Sequence, residues 1–189
     1  MALCFVLFRL EYVNRERLKD IEGKIVCANH ISNWDPVFIG VAVPGTVRFM
    51  AKIELLKIPI LKSVLYKLGV IPVNRGSNDL NAIKTAITVL KNNETLMLFP
   101  EGTRNPRGEV SPKAGVVNIA VRTDSKIIPV SISSPVRLFG KVRIVVGEEI
   151  YYPKEEYGKT GYEGCKEISE NIMQYIKELS INENKHYRC

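Results

Sequence analysis

A histidine and an aspartate stand five residues apart in the run Asn29-His30-Ile31-Ser32-Asn33-Trp34-Asp35-Pro36, just after a short apolar, β-branched stretch. On one continuous helix that spacing turns the two side chains well apart. In a strand-to-helix turn it lets Asp35 fold back onto the imidazole. The carboxylate then bonds one ring nitrogen, fixes the tautomer and stabilises the imidazolium, while the other nitrogen is left to take a proton from an alcohol. The same residues also suit a plainer structure. Asp35 before Pro36 is a good helix N-cap followed by proline at the first helical position, with His30 a turn residue. The spacing by itself leaves both open.

A second polar turn follows a second apolar run, in Phe99-Pro100-Glu101-Gly102-Thr103-Arg104. Arg104 offers a planar fork that matches phosphate oxygens. Glu101 is placed either to hold that fork or to accept a substrate hydroxyl; a local Glu–Arg surface pair is the plainer alternative and is worth little. Two further cations sit at element boundaries. Arg75 closes Gly69-Val-Ile-Pro-Val-Asn-Arg75, and Lys113 precedes Ala114 and Gly115, where a helix is expected to begin. A helix N-terminus with a lysine beside it is a ready anion site. No Gly-x-Ser-x-Gly elbow is present, so a covalent acyl-serine step is not expected. The four cysteines, Cys4, Cys27, Cys165 and Cys189, form no C-x-x-C pair and no metal-ligand spacing, and read as free thiols in a reducing compartment. No metal site is expected.

The order of these pieces resembles the bacterial 1-acyl-glycerol-3-phosphate acyltransferases, within the wider glycerolipid acyltransferase superfamily. The Asn-His-x4-Asp motif is matched by Asn29, His30 and Asp35, and Gly-x-Ile-x-x-x-Arg by Gly69, Ile71 and Arg75. Phe-Pro-Glu-Gly-Thr-Arg is matched in full by residues 99–104, with Lys113 and Gly115 following. Ile128-Pro129-Val130 matches the fourth motif, and Lys52, Glu54, Leu55 and Pro59 also look like the family. The likeness runs from about Lys24 to Ile150. Many members carry a longer hydrophobic region ahead of the first motif.

The resemblance implies transfer of a fatty acyl group from an acyl-CoA or acyl carrier protein thioester to the sn-2 hydroxyl of lysophosphatidic acid, giving phosphatidic acid. His30 is then the general base and Asp35 its orienting partner. Arg75, Glu101, Gly102, Thr103, Arg104 and Lys113 are expected to bind the acceptor; the sequence does not name the oxyanion donors, for which backbone N–H groups near Gly102 or in the helix after Asp35 are candidates. No cofactor beyond the thioester is expected. Glycerol 3-phosphate or another lysophospholipid stands as an alternative acceptor. A thioesterase using the same dyad, and a non-catalytic lipid- or nucleic-acid-binding module, are the rival classes. A thioesterase has no need of the cationic cluster, and no aromatic-interleaved RNA motif is present, so no nucleic-acid partner is expected.

The elements that must carry these residues alternate. Strands are expected at 25–28, 96–99, 127–132 and 142–146, as short apolar runs rich in Val and Ile. Helices are expected at 36–43, at 60–68 after Pro59, around Leu80, Ile83, Ile87 and Leu90 with Ser77 and Asn78 as caps, at 115–121, and across Ile168, Ile172, Tyr175, Ile176 and Leu179. Alternation argues for an α/β sandwich with a central, mostly parallel or mixed sheet flanked by helices, which the resemblance makes glycerol-3-phosphate acyltransferase-like.

At 189 residues, 46% hydrophobic and 25% charged, the chain fits one domain and no disordered or fibrous class. Within it, 1–23 is an apolar lead-in, 24–150 bears the motifs, and 151–189 is a loop and amphipathic helix. Charge is uneven. Residues 148–189 hold nine acidic and six basic side chains, a net of −3, leaving +10 of the total +7 on residues 1–147. That field attracts phosphate esters and anionic membranes. The apolar run Ala2–Phe8 is too short to cross a bilayer, which takes roughly 20 residues, and lacks the features of a signal peptide. It reads equally as an interfacial anchor or as core. The expected location is peripheral, on the cytoplasmic face of the cell membrane.

Overall fold

The computed structural model describes residues 8–57, 69–73, 80–133 and 136–186. Strands β1 (Arg9–Val13), β2 (Ile25–Ala28), β3 (Val47–Lys52), β4 (Val70–Val73), β5 (Thr95–Leu98), β6 (Ile127–Ile132) and β7 (Lys141–Val146) form one seven-stranded sheet in the order β1-β7-β6-β2-β5-β3-β4. Every neighbouring pair is parallel except β6 and β7. Strands β2 to β6 therefore end at one edge of the sheet, and β1 and β7 begin there. The described helices are α1 (Asp35–Ala42), α2 (Leu80–Lys91), α3 (Gly115–Thr123), the short α4 (Lys154–Tyr157) and α5 (Tyr162–His186). The chain is a single α/β domain, as expected.

Strand alternation divides the core into two layers. Val26 and Ala28 of β2 point to the layer that α1 closes with Phe38, Ile39 and Ala42. Ile25 and Cys27 point to the other, filled from α2, α3 and α5 by Ala86, Leu90, Val117, Ala120, Ile172 and Ile176. A central strand buried on both faces must be apolar throughout, which is why β2 and β5 read as continuous runs. Each such side chain, fully buried, contributes roughly 1.5–3 kcal/mol.

Helix α1 carries Asp35 and is held at several points. Phe38 is fully buried and meets the ring of Phe8 edge-on at 5.0 Å, and the Tyr12 hydroxyl donates to the Phe38 carbonyl at 2.8 Å. At the far end the Arg15 guanidinium donates to the carbonyls of Ala42 and Val41, satisfying groups the helix leaves open. Phe8, the last residue of the apolar run at the chain start, is thus core. Residues 1–7, the helix expected at 60–68 and the caps Ser77 and Asn78 lie outside the described residues. Among the described residues, no helix is long and apolar enough to cross a membrane.

Candidate active site

Strands β2 and β5 are adjacent and parallel, so the loops after them emerge side by side. The connection from β2 leaves through α1 on one face and that from β5 through α3 on the other. A crevice between such diverging loops, beyond the carboxyl ends of parallel strands, is the usual ligand position in open α/β sheets. His30 and Asp35 stand on the first loop, and Glu101 to Arg104 on the second.

Asp35 does fold back. Its Oδ2 lies 2.8 Å from His30 Nδ1 and accepts the backbone N–H groups of Ile31 and Ser32, each at 2.7 Å. The N-cap position of α1 belongs to Trp34, with Asp35 the first helical residue and Pro36 the second, so the Asp35 side chain does not cap the helix. It is fully buried, and the imidazole is its only ion-pair partner among the described residues. A carboxylate on Nδ1 places the ring proton there and leaves Nε2 unprotonated. Nε2 makes no bond among the described residues, and the imidazole keeps 12% of its surface open. Phe99 stacks on the ring, centroids 4.2 Å apart and planes 21° off parallel.

Glu101 does not meet Arg104. It is 3% exposed, its Oε2 accepts the backbone N–H of His30 at 2.8 Å, and its Oε1 accepts the Asn105 amide at 3.2 Å. Burial pushes its carboxyl up to about 7, against the pull of those two bonds. Asn105 completes the knot: its N–H donates to the His30 carbonyl at 2.6 Å, and its side-chain oxygen accepts the N–H groups of Glu109 and Val110. The residue type explains the switch from the expected pairing. A carboxylate between two loops takes the fixed backbone donor at hand, and an arginine at the rim stays in water.

Thr103, Arg104 and Lys113 are exposed beside the dyad loop. Neither Arg104 nor Lys113 has an ion-pair partner among the described residues. Gly102 has φ +66°, a left-handed turn that glycine adopts without strain, and a Cβ there would stand 3.6 Å from Lys113 Nζ. The Lys113 N–H donates to the Pro100 carbonyl, closing the loop back on itself. Some of the backbone donors expected for an oxyanion are already engaged. Gly102 N–H bonds the Phe99 carbonyl, Asp35 N–H bonds Ser32, and Val37 and Phe38 N–H both bond Trp34. Arg75 lies outside the described residues.

Asn29, Phe99 and Asn105 went unassigned in the sequence. Asn29 exchanges two hydrogen bonds with the backbone of Ile132, at 2.9 and 2.7 Å, continuing the β2–β6 pairing with a side chain. Asparagine directly ahead of the histidine, and a second one directly after Glu-Gly-Thr-Arg, were the signals available.

A mixed α/β sheet thus carries at its carboxyl edge an oriented His–Asp pair, beside cations that have no ion-pair partner among the described residues, an arrangement chemically able to take a proton from a group bound next to an anion. The acyltransferase family model matches residues 9–133, and the chain belongs to that family of acyltransferase enzymes. It is 32% identical over 179 residues to the 1-acyl-sn-glycerol-3-phosphate acyltransferase of Bacillus subtilis, covering 91% of this chain and 87% of that protein. It is 35% identical over 129 residues to the enzyme of the same name from Borreliella burgdorferi, covering 67% of this chain and 52% of the other. Among solved structures, the 1-acyl-sn-glycerophosphate (LPA) acyltransferase PlsC from Thermotoga maritima superposes with a TM-score of 0.68 at 30% identity, covering 90% of this chain and 72% of that one.

Proposed function

We propose that this acyltransferase moves a fatty acyl group from a thioester, acyl-CoA or acyl carrier protein, onto the sn-2 hydroxyl of lysophosphatidic acid. The observation that carries the reading is the His30–Asp35 pair standing beside a loop whose Arg104 and Lys113 are exposed cations. A hydrolase acting on thioesters needs the dyad but has no use for those cations. The names of the relatives from Bacillus subtilis and Borreliella burgdorferi agree with a phosphate-bearing acceptor.

In this mechanism His30 Nε2 removes the proton of the acceptor hydroxyl as its oxygen attacks the thioester carbonyl. The imidazolium so formed is stabilised by buried Asp35, a general-base contribution of ~10²–10⁴ in rate. The tetrahedral intermediate expels the thiolate, which takes the proton back from His30. Developing charge on the carbonyl oxygen calls for fixed donors. The N–H groups of Thr103 and Arg104, which have no acceptors among the described residues, are available for that task on this loop. Arg104 and Lys113, joined by Arg75 through its motif, hold the acceptor phosphate. The acceptor is an amphiphile, so the enzyme works peripherally at the cytoplasmic membrane surface.

An acceptor panel of lysophosphatidic acid, glycerol 3-phosphate and lysophosphatidylcholine, offered with labelled acyl-CoA and acyl carrier protein, tests the reading. Lysophosphatidic acid is expected to be the preferred acceptor, and His30→Ala to abolish transfer with an unchanged thermal melt. Equal use of an acceptor without a free phosphate monoester, or an active and folded His30→Ala variant, overturns it.

A further inference from the structure

The sheet's carboxyl edge, where the dyad lies, also collects the exposed apolar side chains. Among the described residues, Trp34, Ile53, Leu80, Val110, Leu138, Phe139 and Ile181 are the exposed large hydrophobics other than tyrosine. Trp34 is in the loop after β2, Ile53 follows β3, and Val110 is in the loop after β5. Leu138 and Phe139 sit in the turn from β6 to β7, and Leu80 opens the helix that follows β4. Ile181 adjoins Ser180, whose hydroxyl bonds Ser131 near the end of β6. All seven therefore belong to one edge. Among the described residues, the opposite edge has Tyr151 and Tyr162 as its exposed large apolar side chains, with Glu155 and Glu156 nearby and Glu148 and Glu149 paired with Arg17, Lys24 and Lys126.

The turn Arg137-Leu138-Phe139-Gly140 stands out within that edge. The Gly140 N–H closes it on the Arg137 carbonyl at 2.9 Å. Leu138 and Phe139 fill its two central places at 59% and 62% exposure. Phe139 has φ +60°, a left-handed position that favours glycine or asparagine and is strained for a bulky side chain. In water that residue gains no packing to offset the strain. Burial in a lipid phase would supply it. Arg137 is exposed beside the pair, and exposed Arg9, whose N–H donates to the Gly140 carbonyl, stands next to the turn. Neither arginine has an ion-pair partner among the described residues. Two apolar tips flanked by free cations match the boundary between acyl chains and anionic headgroups.

We propose that this edge faces an anionic bilayer and that Leu138 and Phe139 are its inserting tip. The inference rests on the proposed function insofar as a bilayer-resident acceptor gives the edge its purpose. The dyad then opens toward the surface from which the acceptor is drawn.

The test is co-sedimentation of the full chain with phosphatidylcholine vesicles, with and without phosphatidylglycerol, at low and high salt. The double variant Leu138→Ser/Phe139→Gly suits the left-handed turn better than the native residues, so it folds. Its vesicle partitioning is expected to fall roughly tenfold or more, and Arg137→Gln to remove part of the salt-sensitive binding. Tyr162→Ser, on the opposite edge, is expected to bind as wild type. With a short-chain acceptor held below its critical micelle concentration, the double variant should match wild type, and with vesicle-embedded acceptor it should lose activity in step with binding. Unchanged partitioning of the double variant, or an equal loss in Tyr162→Ser, overturns the proposal. Turn-dependent binding without acyl transfer by the wild type overturns the proposed function and leaves the docking edge standing. Acyl transfer with turn-independent binding does the reverse.

Discussion

The backbone N–H of His30 donates to Glu101 Oε2 across 2.8 Å, and this bond joins the two loops that make the site. Its position on the sheet explains its reach. Strands β2 and β5 are paired neighbours, and the two residues lie just beyond their ends. The His30 carbonyl is held as well, by the N–H of Asn105, whose amide also bonds Glu101. The imidazole is thus positioned from three sides: by Asp35 at the ring, by Phe99 on its face, and by the Glu101–Asn105 pair at the backbone.

Asp35→Asn is expected to separate catalysis from stability. The Asn side-chain oxygen can still accept the N–H groups of Ile31 and Ser32. All three native contacts are made by Oδ2, so the Asn oxygen there would keep the His30 ring as well, and the NH2 would take the place of buried Oδ1, which has no partner among the described residues. The negative charge that stabilises the imidazolium is lost, and a fall of orders of magnitude in kcat is expected. The loss of stability should stay within the roughly 1–3 kcal/mol of a buried N–H left without an acceptor. Rate assays beside a thermal melt check this; a fully active variant would remove Asp35 from the mechanism.

Glu101 makes the fold pH-sensitive in a defined direction. Its carboxyl is pushed up to about 7 in the folded chain, mainly by burial, against an ordinary 4.5. The folded state therefore binds the proton more tightly than the unfolded chain, and stability falls as pH rises between those values. Over that window the loss is about 3 kcal/mol at most. Glu101→Gln should remove this slope. It should also weaken the site, because the new amide meets the Asn105 amide donor. Denaturant melts between pH 5 and 8 on both proteins measure the difference, and parallel profiles would show that Glu101 titrates as an ordinary carboxyl.

The sequence made the centre of the molecule more legible than its flanks. Buried strands β2, β5 and β6 read directly as apolar runs because both faces are covered. Strand β3 alternates buried and half-buried residues and is broken by Arg48, and β4 is four residues long and contains Pro72. Edge strand β1 has no fully buried residue. Such patterns lack the apolar continuity on which the reading relied. In the site, the spacing of His30 and Asp35 also allowed a plain capped turn, and their pairing was legible only because the other motifs follow in the order of a known family. The Glu101 contact was not, since its partner is a backbone N–H 71 positions away, a group that every residue except proline carries.

Arg104→Ala is expected to damage acceptor use and spare the donor. The guanidinium is exposed on the loop after β5, with no ion-pair partner among the described residues, so its removal strands no buried charge and leaves the loop anchored by Glu101, Asn105 and the Lys113–Pro100 bond. The fold should be unaffected. A bidentate contact to a phosphate monoester is a charged contact that closes when the acceptor binds, and losing one partner of such a pair costs roughly 2–5 kcal/mol. That corresponds to a fall of about 30- to 5,000-fold in kcat/KM for lysophosphatidic acid. Binding of acyl-CoA, measured without acceptor, should barely change. Arg104→Lys keeps the charge but loses the planar fork and should recover only part of the activity. Equal losses for acceptor and donor would make Arg104 part of a shared structural support. Full recovery with lysine would reduce its role to a point charge at the rim.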